Sequence, residues 1–361
     1  MDLLEYFYEN PPINDQFTVR KTAIPLDDDI NLYGARGCGK TALVLDYLQQ
    51  KEQPPLYIDL EDPSLILNTL DTLPLQSYID EFNIKELILD HYEEGMIDIF
   101  PKVQRLIVVS RTPLRDDRFT HTQLFPLDYE EFLAFEHASS ATIAFNHFLK
   151  SGTLPAMAKH TRSTTLFMKQ FFQQQFSPNE QALILILARF NTQPMTIHQI
   201  YHFTKEHFKI SKDFVYDTIK RFQEEGLLYF VDNVIRRSGK KIVMYDFAFV
   251  KYLTVHQPFG AQFESMVALT LLKHGIGFRA LGPHGYMTEA KELIIPAAFE
   301  SEESIWVKSQ NKFSLYKKHG IQKITIVSVT NSYQFDIEKL HFEALPFYEW
   351  SVINDESSEV S

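Results

Sequence analysis

The stretch Gly34-Ala35-Arg36-Gly37-Cys38-Gly39-Lys40-Thr41 restricts this chain more than any other. A G-x-x-x-x-G-K-T run needs a strand before it and a helix after it. Its glycines let consecutive backbone N–H groups turn inward on an anion, while the lysine and threonine add a mobile charge and a hydroxyl. The flanks fit that context. DDINLYG (28–34) reads as a short strand, and TALVLDYLQQ (41–50) as a helix with apolar residues at 43, 44 and 47 that can pack on a sheet. The amino end of that helix then faces the anion. ATP with Mg2+ is the expected ligand, held by Gly34, Gly37, Gly39, Lys40 and Thr41, with the Thr41 hydroxyl on the metal.

PLYIDLED (55–62), KELILDHY (85–92) and QRLIVVSRT (104–112) are apolar runs separated by polar or helical stretches. That alternation predicts a parallel α/β sheet. Asp90 ends an apolar strand, where P-loop proteins place the carboxylate that orders the magnesium shell. It joins Thr41 as a candidate metal residue. Ser110 and Thr112 close the neighbouring strand and are candidates to sense a γ-phosphate. Hydrolysing P-loop proteins commonly follow the aspartate with a glutamate that polarises water, but this chain has His91. A neutral imidazole can orient a water, though it is a different base. Glu93 or Glu94 can serve from the loop, and His91 can equally be a plain strand end with turnover slow or absent. Asp90 and His91 are therefore catalytic candidates, and possible ATPase activity stays open.

At 361 residues the chain is too long for one ordinary core and suggests two or three domains. No apolar run approaches a membrane span, and MDLLEYFYEN lacks the basic-then-apolar plan of a signal peptide. The single cysteine, Cys38, rules out an internal disulfide framework. A cytoplasmic protein without membrane partners is expected. The formal charge of -12 argues against broad nucleic-acid coating but leaves room for one local basic surface.

Residues 180–250 read as three helices and a hairpin, a helix-turn-helix with a wing. NEQALILILARF is apolar nearly all round. TIHQIYHFTKEH has Thr196 as N-cap. SKDFVYDTIKRFQEEG opens at Ser211, sets Val215, Ile219 and Phe222 on one face, and stops at Gly226. The hairpin tip carries Arg236, Arg237, Lys240 and Lys241, which could neutralise DNA phosphates. The third helix mixes Asp213, Asp217, Glu224 and Glu225 with its basic residues, which suits a packing module or a protein partner as well. His198 and His202 are four apart, a spacing able to hold a metal; without a cysteine or acid to complete a set they are expected to be ordinary side chains.

The glycine loop, YIDLEDP (57–63), the strand ending in Asp90 and RLIVVSRT…DDRFTHTQLFPLDYEEFLAFE occur in an order that resembles prokaryotic AAA-type and STAND-like P-loop ATPases of the archaeal type. Pro126-Leu127-Asp128-Tyr129-Glu130-Glu131-Phe132 is similar to their Pro-Leu-x-x-x-Glu-Phe signature, and SGTLPAM (151–157) to the Gly-x-Leu-Pro element after it. The resemblance implies a P-loop NTPase sheet over 1–160, a helical linker and winged helix over 161–252, and an α/β restriction-nuclease-like domain over 253–350. A disordered acidic tail over 351–361 completes the expected order. Arg118 falls where the family has a Gly-Arg, with Asp117 in place of the glycine, so the resemblance implies that Arg118 contacts phosphate or acts in trans.

In restriction-nuclease-like domains an acid on one strand and a Glu-x-Lys on the next bind magnesium. ELIIPAAF, ESIWVKSQ and QKITIVSVT read as three strands, with Glu264 on the preceding helix FGAQFESMVALTLLKHG. Glu292 can stand for the first acid and Lys308 for the lysine, but Trp306 occupies the position two before it and cannot ligate a metal. The favoured reading makes Glu264, Glu292 and Lys308 ordinary charges in a degenerate domain, with Trp306 a packing group or stacking platform. Two functions follow from the sequence. One is an ATP-binding, nucleotide-governed switch with weak or uncertain hydrolysis and possible DNA or protein binding. The other is a non-enzymatic interaction protein that binds nucleotide only for structure.

Overall fold

The computed structural model describes residues 3–356 except 14–16, 27, 67, 69, 137–139, 160–163, 236–237 and 256–257. The chain divides into two compact units, Met1–Pro126 with Arg221–Leu227, and Leu127–Lys220 with Leu228–Ser361. Residues 127–160 thus fall in the second unit.

The first unit carries α1 (Leu3–Glu9), β1 (Ile30–Tyr33), α2 (Lys40–Gln49), β2 (Leu56–Asp59), α3 (Thr72–Glu81), β3 (Glu86–Tyr92), β4 (Arg105–Ser110) and β5 (Thr120–Gln123). Its five strands are all parallel, in the order β2-β3-β4-β1-β5. Parallel strands are covered on both faces, so the central ones are largely apolar; every residue of β4, RLIVVS, is buried. One core cluster joins Leu56, Ile58, Leu87, Leu89, Leu106 and Val108 to α1 and α3. The other joins Ile30, Leu32, Ile107 and Val109 to Leu43, Val44 and Leu48 of α2. The strand alternation thus sends odd and even positions to opposite layers.

The second unit opens with α4 (Tyr129–Phe135), α5 (Ala141–Ser151), α6 (Pro155–Lys159), α7 (Thr164–Gln175) and α8 (Pro178–Arg189). Then come β6 (Pro194–Met195), α9 (Ile197–His207), α10 (Lys212–Glu224, of which the residues from Arg221 count with the first unit), β7 (Leu228–Val231), β8 (Lys240–Met244) and α11 (Phe247–Leu253). The three short strands form an antiparallel sheet in the order β6-β8-β7. Capping boxes at Ser177 and Thr196 start α8 and α9. Val215, Ile219 and Phe222 of α10 are fully buried or nearly so, as their spacing predicts.

The remainder holds α12 (Phe259–Lys273), β9 (Phe278–Ala280), β10 (Tyr286–Thr288), β11 (Glu292–Pro296), α13 (Glu302–Gln310), α14 (Phe313–His319), β12 (Lys323–Ser328), β13 (Tyr333–Ile337), β14 (Leu340–Pro346) and α15 (Phe347–Glu356). A six-stranded mixed sheet runs β13-β14-β12-β11-β10-β9, parallel across β11, β12 and β14. Two sequence expectations are corrected here. ESIWVKSQ is not a strand but helix α13: Ser301 caps it through the Ser304 N–H, Glu302 and Glu303 fill its first turn, and Ile305 and Ser309 are its buried positions. The tail from residue 351 is helical in α15 as far as Glu356, and residues 357–361 lie outside the described residues.

The two signature elements stitch this unit together. Asp128 caps α4 in a capping box with Glu131, and Lys273 pairs with both carboxylates. Tyr129 and Phe132 pack on Phe148, and Tyr129 also meets Phe347. Gly152, at φ 77°, lies where a Cβ would sit 2.4 Å from the Asp246 carboxylate. Thr153 donates to that carboxylate from both its N–H and its hydroxyl. Burial outweighs these bonds and holds the Asp246 carboxyl above its usual range.

Candidate phosphate-binding site

β1 ends at Tyr33 and α2 begins at Lys40, so residues 34–39 form the loop at the carboxyl edge of the sheet. Gly34, Gly37 and Gly39 have φ of 147°, 78° and 98°. A Cβ on Gly34 would lie 2.3 Å from the Leu124 carbonyl oxygen, so only glycine fits. Gly39 precedes α2 and has no side chain to cap it, so the amino end of the helix adjoins the loop directly. Lys40 Nζ lies across the loop and donates to Gly34 O (2.8 Å) and Ala35 O (3.1 Å). Cys38 is fully buried. Its carbonyl accepts from Arg20 (2.9 Å), which also donates to Phe125 O (2.8 Å), clasping the loop from the segment before β1. Arg36, inside the loop, is buried against Glu225 at 3.3 Å.

The strand register brings further groups to this edge. Asp59 and Asp90 are partners across β2 and β3, and Tyr33 and Ser110 across β1 and β4. Asp90 is 0% exposed. The Tyr57 hydroxyl donates to its Oδ2 (2.9 Å), and the His91 N–H donates to its Oδ1 (2.8 Å). Burial, then the Asp90 charge, push the Tyr57 phenol far up, so it stays a donor. His91 has a left-handed φ of 55° where β3 departs from regular pairing with β4. That backbone is uncommon for a non-glycine residue and turns the imidazole toward β2. His91 Nδ1 lies 2.7 Å from Asp59 Oδ1, and the two side chains are 36% and 35% exposed. The bond to Asp59 raises the His91 pKa against burial, helped by the charges of Asp90, Asp59 and Glu61. Burial pushes the Asp59 carboxyl up, but bonds from His91 and the Glu61 N–H bring it below its ordinary range.

Ser110 is held from below. Asn31 of β1, fully buried, donates to Val108 O (3.1 Å) and Ser110 Oγ (2.8 Å), and accepts from the Leu114 N–H (2.9 Å). Ser110 Oγ in turn donates to Thr112 O (2.6 Å). Glu93 pairs with Arg111 at 2.9 Å, and Arg111 also reaches Glu61. Glu93 and Glu94 line a cleft of about 360 Å3 beside Ser110 and Thr112. Asp59, Asn31, Tyr57 and Arg20 were not candidates from sequence. Asp59 and Tyr57 carried a signal in YIDLEDP, whereas nothing local marked Asn31 or Arg20.

Arg118 is not brought to this edge. It precedes Thr120, the partner of Ile30 at the amino end of β1, whereas the loop follows Tyr33. Its guanidinium lies over Phe100 and Phe119 and pairs with Asp116. The basic tip is corrected in part: Lys241 is buried against Glu264 and cannot reach a phosphate backbone. Lys240 is exposed and pairs with Asp232 at 3.0 Å, and Arg236 and Arg237 lie outside the described residues. Glu292 faces Thr325 and Lys323, Lys308 of α13 pairs with Glu300 just before that helix, and Glu264 is bound elsewhere, to Lys241 and Tyr286. Among the described residues no helix is long and apolar enough to cross a membrane, and no three His, Cys, Asp or Glu side chains are grouped to hold a metal.

No protein-family model matches the sequence, and no curated protein does. Among solved structures, the chain is similar over 62% of its length to 90% of the Walker-type ATPase PABY2304 of Pyrococcus abyssi, at 12% identity and a TM-score of 0.41. It is similar over 63% of its length to 86% of the ORC1 protein of Aeropyrum pernix, solved in complex with DNA, at 12% identity and a TM-score of 0.33. Likeness at this level leaves the chemistry to this chain's own residues. Those residues give the first unit the layout of a P-loop core: a parallel sheet, a glycine loop between β1 and α2, and an aspartate strand separated from β1 by β4.

Proposed function

We propose that this chain binds ATP with Mg2+ in the Gly34–Thr41 loop and acts as a nucleotide-governed switch with slow turnover, serving DNA or a protein partner. The observation that carries the reading is the meeting of the glycine loop, Asp90, Asp59 and Ser110 at one sheet edge. The loop suits a phosphate chain: Gly34, Gly37 and Gly39 all hold left-handed or glycine-only backbone, and Lys40 Nζ lies across them. The oxygen donors of Thr41, Asp90 and Asp59 suit a hard cation. Magnesium, when bound with the triphosphate, neutralises charge on its oxygens.

The chain's own groups do the rest. Lys40 exchanges the Gly34 and Ala35 carbonyls for phosphate oxygens. Asp90, fixed by Tyr57 and the His91 N–H, would hold the ion or its water shell. His91, steadied at Nδ1 by Asp59, presents Nε2 to a water. The three helices and the β6-β8-β7 sheet of the second unit support a winged helix, and the six-stranded sheet supports a nuclease-like shape without its chemistry. His91 stands where hydrolysing P-loop proteins commonly carry a glutamate, and that favours a second reading in which nucleotide is held for structure without turnover.

Mg-ATP affinity and turnover beside Lys40→Ala and Asp90→Ala test both. Loss of one charge-assisted contact of ~1.5–3 kcal/mol should weaken ATP binding roughly ten- to hundredfold in Lys40→Ala. Equal affinity in wild type and Lys40→Ala overturns the phosphate site. Turnover abolished by both substitutions supports the switch, and tight binding without turnover supports the second reading.

A further inference from the structure

Helix α9 carries a feature that the nucleotide reading leaves unused. Its inward face is Ile200 and Thr204, both buried, with Phe203 packed on Phe190 at 4.6 Å. On the exposed side, His198 and His202 stand one turn apart. Their rings meet edge to face, with centroids 4.4 Å apart and an interplanar angle of 88°. The two Nε2 atoms are 3.1 Å from each other.

We infer that His198 and His202 form a bidentate site for a borderline divalent transition-metal ion, Ni2+ or Cu2+ in class. Metal–imidazole bonds are about 2.0–2.1 Å long. Two nitrogens 3.1 Å apart on bonds of that length subtend about 98° at the metal. That angle lies between the right angle of adjacent square-planar or octahedral positions and the wider tetrahedral one, so the nitrogen separation already fits one chelated ion and a small rotation of the rings aims both at it. In the 3.1 Å contact one Nε2 donates to the other. Ligation needs both lone pairs, so the donating ring moves its proton to Nδ1 and stays neutral.

The ligand class follows from the donors. Two imidazoles suit late first-row metals, and the hard oxygen-seeking cation of a nucleotide site has no reason to choose them. With no third protein ligand among the described residues, water completes the shell. The site is therefore independent of ATP. Because the ion bridges one turn of α9, it also staples that helix, and binding should raise the unfolding midpoint of the folded chain.

The test uses the full chain, with Ni2+ followed by calorimetry and Cu2+ by electron spin resonance, in wild type, His198→Gln, His202→Gln and the double variant. Both positions are exposed, so all four proteins should share one unfolding midpoint without metal. The expected result is one Ni2+ per chain in wild type, at least roughly tenfold weaker binding in each single variant, and loss of that event in the double variant. The Cu2+ spectrum should show two equivalent nitrogens only in wild type, and Ni2+ should raise the midpoint only there. Unchanged Ni2+ affinity in the double variant overturns the site, as does loss in one single variant with none in the other.

Discussion

At the carboxyl edge of the five-stranded sheet, Asp59, Asp90, His91 and Ser110 come from three strands and converge beside the glycine loop. In the second unit, Glu264, Glu292 and Lys308 come from a helix, a strand and another helix, and each has its own counter-ion: Lys241, Lys323 and Glu300. The difference lies in strand direction. Parallel strands end together, so residues at the ends of β2, β3 and β4 share one edge whatever their distance in sequence. The second set has no such common end once ESIWVKSQ is a helix, and its charges are spent on local pairing. Charged residues can share one chemistry where the topology gathers them with each other, as it does for Asp59, Asp90 and His91.

Substitutions can break that contrast. Asp90→Ala should be the most damaging, since it strands the Tyr57 hydroxyl and the His91 N–H in a fully buried position. The expected cost is ~2–4 kcal/mol in urea unfolding, together with weakened Mg-ATP binding. Lys241→Met should follow. The Lys241 side chain is 5% exposed and that of Glu264 25%, so a loss of ~1–3 kcal/mol is expected. No loss there would mean that Glu264 does not depend on its cation and is open to other chemistry.

Asp59→Asn should cost under ~1 kcal/mol, because both members of the His91 pair are about one-third exposed and solvent screens them. Its signature is pH. The lowered Asp59 pKa gives stability that is present above about pH 4 and lost as pH falls through the folded value. The raised His91 pKa gives stability that is full below about pH 6.5 and lost as pH rises through the folded value. The pair therefore contributes fully between about pH 4 and 6.5 and less on either side, so Asp59→Asn should lower the unfolding midpoint inside that window and flatten the falls below and above it. A pH profile in which Asp59→Asn changes neither fall would remove the pair from the site. Lys308→Ala is the smallest case: breaking an exposed bond to Glu300 should change stability by less than ~0.5 kcal/mol.

Much of this was legible in the sequence because burial wrote it there. β2, β3 and β4 fall inside the three apolar runs, and α10 runs from its Ser211 signal to just short of Gly226. β5 was not legible: THTQ is a polar edge strand with no apolar run to reveal it. α13 was misread because Ile305, Trp306 and Val307 are consecutive and apolar. Only Ile305 is buried, with Ser309 one turn later, and the Ser-Glu-Glu start was the better signal. Asn31 escaped notice because its role is set by Val108, Ser110 and Leu114, which local sequence does not connect to it. Asp90 and the glycine loop were readable as types. Their mutual placement needed the register.

Cys38 is the single sulfhydryl of the whole chain and is fully enclosed in the phosphate loop. Any thiol reagent that labels this protein must therefore wait for that loop to open, so the labelling rate is a clock built into the native sequence. No engineered probe is required. A triphosphate that closes the loop should slow the clock, and one that merely rests on it should leave the rate alone.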